Sequence, residues 1–263
     1  MFLCFNVLIK YSMSQLFNAI LYQPTFNLLV FLYNIAGHDI GLAIILMTVI
    51  IKLVLYPLTS KSLKSQQDLQ KIQPKIQGLQ QKYKGQKEKL SQELMALYKR
   101  EKVNPFSSCF PTLIQLPFLI AVFVVFRAGL TNPDALSALY PFITHPGALN
   151  PISFGFLDLS KTNLYLAVLA GAAQFWQTKM LVSKKPAIKS EGSKDENMAA
   201  AINKQMTYFM PIFTVFVGIT LPAGLMLYWV VTTILTIAQQ YILFRKKVEI
   251  KQNDNHSPSQ NQN

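Results

Sequence analysis

The sequence predicts an all-α membrane protein: a core of five transmembrane helices with a cytoplasmic helical hairpin and an N-terminal interfacial helix. Three observations carry that expectation. Hydrophobic residues make up 51% of the 263 and charged residues only 14%. The apolar residues gather into runs near the roughly 20 that cross about 30 Å of hydrocarbon at 1.5 Å per residue. The charges sit between those runs, which in water would expose large apolar patches.

Residues 1–9 are apolar but lack a cationic region, and no small-residue cleavage site follows, so the N-terminus is expected to be retained. The aromatic run 16–36 is broken by Pro24, Asn27 and Asn34, and Gly37-His38-Asp39 ends it. It reads as an amphipathic helix in the interface, with a full span as the lesser alternative, and closes an N-terminal segment 1–39. The first core span is 40–58, the second 109–127 and the third 162–181. The fourth, 205–221, and the fifth, 223–243, are separated by the turn Leu221-Pro222-Ala223-Gly224.

Between the first two spans, 59–104 carries Leu69, Ile72, Ile76, Leu79 and Tyr83 at helical spacing, then Leu90, Leu94 and Leu97. The turn Lys84-Gly85-Gln86 divides them into two short antiparallel helices with narrow apolar stripes, and Pro74 kinks the first or marks its start. The loop 128–161, with Pro133, Pro141, Pro146 and Pro151, is expected to lie against the outer interface. The loop 182–204 is charged and at least partly flexible, and 244–263 is a basic, then polar, disordered tail.

The formal net charge of +13 invites a nucleic-acid partner, but its placement argues otherwise. Of 25 Lys and Arg residues, eleven fall in 59–104, six in 179–204 and four after 244. That basic side should be cytoplasmic, which puts the N-terminus outside, the C-terminus inside and DNA out of consideration. With no transit-peptide pattern in the sequence, the expected location is a bacterial plasma (inner) membrane.

Catalytic chemistry finds little support. Cys4 and Cys109 form no CxxC or Cys/His spacing, and His38, His145 and His256 have no partners at metal or triad spacing. Phosphate-loop, nucleophile-elbow and zinc-protease patterns are absent, and no span holds a carboxylate for a proton relay. No enzyme activity, metal or cofactor is expected.

Lys52 stands out. An ammonium at a helix centre costs about 2.5–3.5 kcal/mol on insertion scales, so it should face protein or water, unless its stem merely snorkels to the headgroups. It lies six residues, roughly 9 Å, from the inner end of its span. Thr48 is one turn earlier on the same face. Gln115, Gln174, Gln177, Gln239 and Gln240 sit in other spans, with Thr214, Thr232, Thr233, Thr236, Tyr228 and Trp229. Singly such residues serve as hydrogen-bond glue between helices. Together, around one cation, they suggest a wet groove that would attract acidic or polar peptide segments.

Three stretches carry a family resemblance: GHDIGLAIILMTVIIKLVLYPLTSKSLKSQQDLQKIQPKIQGLQQKYKG, then EKLSQELMALYKREKVNPFSSCFPTLIQLPFLIAVFVVF, and finally MTYFMPIFTVFVGITLPAGLMLYWVVTTILTIAQQYIL. In order, with their V-N-P, C-x-P, Q-x-P and P-A-G-L punctuation, they resemble the core of the YidC/Oxa membrane-protein insertases over about 16–247. The resemblance implies the short form without a large extracytoplasmic domain. It also implies five helices around a hydrophilic groove open to cytoplasm and lipid but closed outside. That family usually places arginine where this chain has Lys52, which keeps the charge but loses the planar fork. Gln115 matches the polar position of the second span, and Trp229 the groove-facing aromatic of the last.

The expected function is therefore insertion and assisted folding of newly made membrane proteins, with a small-solute channel or transporter as the alternative. Substrate-groove candidates are Lys52, Gln115, Trp229, Thr48 and Tyr228. Lys71, Lys75, Lys82 and Lys84 on the hairpin are candidate partner contacts, and Arg245, Lys246 and Lys247 candidate contacts to ribosome or anionic lipid. Expected partners are nascent membrane proteins, the ribosome, the general secretion channel and anionic lipids.

Overall fold

A computed structural model of the chain describes residues 15–104, 110–131, 136, 139–181 and 205–256, with backbone alone at 110–114, 126–131, 181, 205–206 and 245–256. The segment 1–14 with Cys4, Cys109, the loop 182–204 and residues 257–263 lie outside the described residues. The described chain is mostly helical, in keeping with the predicted fold class. It falls into two compact units, Met1–Val54 with Thr112–Gly171 and Ile212–Thr232, and Leu55–Pro111 with Ala172–Pro211 and Thr233–Asn263.

The first helix, α1, runs Gln15–Ile35 with a π-helical turn at Asn18–Tyr22. It is long and apolar enough to cross a membrane, as is Ala223–Phe244; among the described residues these two meet that test as single helices. Helix α2, Ile40–Val54, packs along α1, and Phe26, Val30, Ile40, Ile44 and Met47 are wholly buried. Between them Gly37 and His38 take left-handed backbone (φ 70° and 63°), and the His38 N–H returns to the Tyr33 carbonyl at 3.0 Å. Asp39 then caps α2, its Oδ1 accepting from the Leu42 N–H at 3.0 Å.

A loop, 139–160, is fastened to α1 and to the start of α2. Asn27 Oδ1 accepts from the Tyr140 N–H (2.6 Å), Asn34 Nδ2 donates to the Thr144 carbonyl (2.7 Å), and Tyr33 Oη accepts from the Asn150 N–H (3.1 Å). The loop folds back as a hairpin of β1 (Ile152–Ser153) and β2 (Leu157–Asp158), paired antiparallel. Its turn residues Phe154 and Gly155 both have positive φ (54° and 80°), which matches the twist of a two-strand ribbon. Asp39 meets this turn, accepting from the Phe154 N–H at 2.6 Å and from the Ser153 hydroxyl. Buried Ser153 in turn accepts from the Gly41 N–H at 3.1 Å.

Helix α5 (Phe110–Thr131), which belongs to the same unit from Thr112 on, carries Pro117 in mid-helix. Helix α6 is Leu164–Leu181, of which the residues up to Gly171 belong to that unit and the rest to the second. Helix α7, Met210–Gly218, follows a π turn at Gln205–Phe209, and α8 runs Ala223–His256. The break between α7 and α8 falls at the expected Pro222 turn. Two N–H groups that α8 cannot satisfy internally donate to the loop, Ala223 to the Lys161 carbonyl (2.7 Å) and Gly224 to the Leu159 carbonyl (3.0 Å). Gly218 permits close approach, since a Cβ there would stand 2.9 Å from both Ala167 Cβ and Met226 Cε.

The second unit holds the hairpin. Helix α3 is one element, Tyr56–Lys82, that keeps Pro74 in its interior, so it starts well before the apolar stripe that announced it. The expected span 40–58 is divided at Leu55. Pro57 lies in the first turn of α3, where it has no N–H to carry on the ladder of α2 and its fixed φ suits the start of a new helix. Helix α4, Lys87–Arg100, returns after a turn with Gly85 at φ 79°. Ile72, Ile76 and Leu97 are buried between the two helices, flanked by Leu69, Leu79, Leu94, Tyr98 and Val103. The helical backbone of α8 continues to His256, well into the region expected as an unstructured tail.

Exposed large apolar side chains mark many of the other helices: Leu53, Val54, Trp176, Ile212 and Phe216 are each about two-thirds or more exposed. Such surfaces suit lipid and would aggregate in water.

Gly41→Ala should destabilise the fold by about 1–3 kcal/mol, because its Cβ would fall 2.1 Å from Ser153 Oγ. Gly78→Ala, with nothing within 4 Å in the exposed interior of α3, should stabilise by about 0.4–1 kcal/mol. Thermal unfolding in lipid nanodiscs reads both. Asp158 gives a pH test. Bonds from Ser160 and then Lys161 hold its carboxyl down to about 2. Its contribution is thus full above the ordinary carboxylate range and is lost as pH falls toward 2. Amide exchange at Ser160 should be slow at pH 5 and accelerate relative to helix-core amides below pH 3.

Candidate functional site

All five groove candidates lie in the first unit. Lys52 occupies the last turn of α2, partly buried, on a helix with no carboxylate of its own. Thr48 is 1% exposed, and its hydroxyl donates to the Ile44 carbonyl at 2.6 Å. That back-bond satisfies the hydroxyl within its own helix, so Thr48 contributes a closed polar group beneath Lys52.

Two of the candidates meet between α5 and α8, where Gln115 Nε2 donates to the Tyr228 hydroxyl. Tyr228 is 1% exposed, while Gln115 stays partly exposed and keeps further amide capacity. Pro117, two residues on, withholds one N–H from the helix ladder close to this amide. Trp229 is partly buried and packs on the cluster of Ala170, Met226 and Val230. The five candidates therefore divide into a hydrogen-bonded pair, a back-bonded threonine, a packed indole and a partly buried cation.

In the second unit the hairpin lysines play different parts. Lys75 joins the two helices, its ammonium 2.8 Å from Glu101 Oε1, and that bond holds the Glu101 carboxyl below its ordinary range. Lys71 pairs with Asp68 at 2.5 Å on its own helix, and Lys82 lies over the Tyr83 ring at 5.3 Å. Lys84 is exposed in the turn. Exposed pairs of this kind contribute little to stability, about 0–1 kcal/mol. Arg245, Lys246 and Lys247 fall on α8, with their side chains outside the described residues.

A second polar centre joins α3 to α8. Gln239 Nε2 donates to Ser60 Oγ and Thr59 Oγ1, each at 2.9 Å, with the Tyr56 carbonyl at 3.4 Å. The residues that sequence reasoning passed over are Asn27, Tyr33, Asn34 and Asp39, which fasten the loop 139–160. Their signal was present, since Asn27 and Asn34 are polar groups in an apolar run and needed partners. Among the described residues no group of three or more His, Cys, Asp or Glu could hold a metal.

Comparison with known proteins places these features. The sequence matches the model of the 60Kd inner membrane protein family over residues 31–251. It is 32% identical over 231 residues to the membrane protein insertase YidC of Fusobacterium nucleatum, covering 86% of this chain and 98% of that one. To the membrane protein insertase MisCA of Bacillus subtilis it is 35% identical over 236 residues, 88% of this chain and 79% of the relative. The YidC of Syntrophobacter fumaroxidans is 38% identical over 206 residues, covering 78% of this chain but 34% of that longer protein. A crystal structure of an active YidC insertase superposes with a TM-score of 0.55 at 26% identity, over 90% of this chain and 50% of that chain.

The bond between Gln115 and Tyr228 can be weighed directly. Tyr228→Phe should cost about 1–3 kcal/mol by leaving the amide short of a partner, and Gln115→Leu a similar amount. The double variant should cost less than the sum by about 0.5–3 kcal/mol, measured as thermal unfolding in nanodiscs. Strict additivity would show that the pair does not interact. With its fold, its length of match and its relatives on one footing, the chain belongs to the 60Kd inner membrane protein family, that of the YidC/Oxa insertases.

Proposed function

We propose that this protein inserts newly made membrane proteins into the bilayer and assists their folding, through a polar groove built around Lys52. The observation that carries the proposal is the match along 86–88% of the chain to relatives named membrane protein insertases. The physical task is to move a polar segment through hydrocarbon, where each unsatisfied backbone group costs several kcal/mol. Water and hydrogen-bond partners part-way across lower that barrier. The substrate's apolar helix then partitions into lipid, which supplies the driving force without a nucleotide.

In this reading five core helices cross the membrane, with the N-terminus outside and the C-terminus in the cytoplasm. Lys52 draws acidic or polar segments into the groove, and Gln115 and Trp229 furnish its polar and aromatic wall, with buried Tyr228 and Thr48 behind it. The fastened loop 139–160 keeps the outer side of the first unit covered, which disfavours a solute channel, since a channel opens on both sides. The basic hairpin and the Arg245–Lys247 stretch face the cytoplasm, where they meet anionic lipid, the ribosome or the general secretion channel.

Lys52→Arg should keep insertion of a single-span test protein with an acidic tail, whereas Lys52→Glu should slow it about tenfold, the effect of ~1.4 kcal/mol on a barrier. A reconstituted insertion assay in liposomes measures both, with a neutral-tailed substrate as control. Equal rates for the two variants would remove the charge from the mechanism. Solute flux through the same liposomes without insertion would favour the channel instead.

A further inference from the structure

The second unit has a polar interior of its own. Thr59, Ser60 and Ser62 on α3 and Thr233, Gln239 and Gln240 on α8 are all buried. Gln239 is satisfied by Thr59, Ser60 and the Tyr56 carbonyl. Its neighbour Gln240 differs. It is 0% exposed, and neither its Nε2 nor its Oε1 has a hydrogen-bond partner among the described residues.

A primary amide brings two donors and one acceptor, and burying all of them dry forfeits their hydration outright. Natural interiors rarely tolerate this; a buried polar group without a protein partner commonly bonds an ordered water. The occupant has to be small, because a side chain with no accessible surface admits no peptide or lipid headgroup without opening the packing. It also has to be able both to donate and to accept, since the Nε2 and the Oε1 of the amide both lack a partner among the described residues. We propose that Gln240 anchors a buried water site inside the second unit, its amide bonding at least one water as both donor and acceptor. Gln239 then ties α8 to α3 directly, while Gln240 keeps the adjoining interior hydrated.

The test uses the full chain in lipid nanodiscs with its glutamine side chains labelled with nitrogen-15, and solid-state NMR in which magnetisation starts on water. The Gln240 signal is assigned by its loss in Gln240→Met, an unbranched apolar near-isostere, or in Gln240→Asn should the methionine variant fail to fold. The expected result is early transfer from water to the Gln240 side-chain amide, as fast as to solvent-exposed glutamines such as Gln86. Transfer no faster than to the dry apolar core would overturn the proposal. Stability gives an independent reading. A hydrated Gln240 makes Gln240→Met lower the Tm by a few degrees, whereas a Tm that is unchanged or raised means that the amide stood dry and the site does not exist.

Discussion

Every polar group that enters hydrocarbon must find its partner inside the protein, and that requirement orders this molecule. It makes the described chain helical, since a helix closes its backbone bonds within one segment. It then acts on the side chains. Thr48 bonds back to Ile44, Thr178 to Gln174, and Asn27 to Gln23. Where a side chain is too long to turn back, it reaches another helix, as Gln115 reaches Tyr228 and Gln239 reaches Thr59 and Ser60. Helix ends follow the same logic, for the first N–H groups of α8 take loop carbonyls and Asp39 caps α2.

Much of this was legible in the sequence. Apolar runs located the helices, because length and hydropathy are properties of contiguous residues. The hairpin was readable from Leu69, Ile72, Ile76, Leu94 and Leu97, whose spacing is that of one helix face, and from the glycine between them. The division of the first span at Leu55 was less so. Leu53 through Leu58 remain apolar, so hydropathy runs on across the point where α2 ends and α3 begins with Pro57 in its first turn. The helical continuation of α8 to His256 was missed for a related reason. Polarity signalled an end, although Lys, Glu and Gln are good helix formers.

The site was legible in kind more than in geometry. Lys52 could be singled out by its cost alone, and its polar company could be counted. Which glutamine meets which hydroxyl depends on how helices far apart in sequence come together, and no local pattern encodes that. Gln115 and Tyr228 are 113 residues apart, and Gln239 and Thr59 are 180 apart. Adjacent Gln239 and Gln240 look alike in the sequence, yet one is saturated by α3 and the other is not. Asn27 and Asn34 show the opposite error. They interrupt an apolar run, while their partners lie in a loop more than a hundred residues away.

The fastening of that loop has an asymmetry. Asn27, Tyr33, Asn34 and Asp39 on the helical side bind with their side chains, but at Tyr140, Thr144, Asn150 and Phe154 they bind the backbone. Backbone atoms are the same whatever residue carries them. The loop can therefore drift in composition, or be rewritten by an engineer to carry a tag or an epitope, so long as the path of its chain is kept, the Ser153 hydroxyl is retained and no proline falls at 140, 150 or 154. The four side chains that grip it have no such freedom. Divergence among descendants of this protein should collect on the loop and leave its fasteners in place.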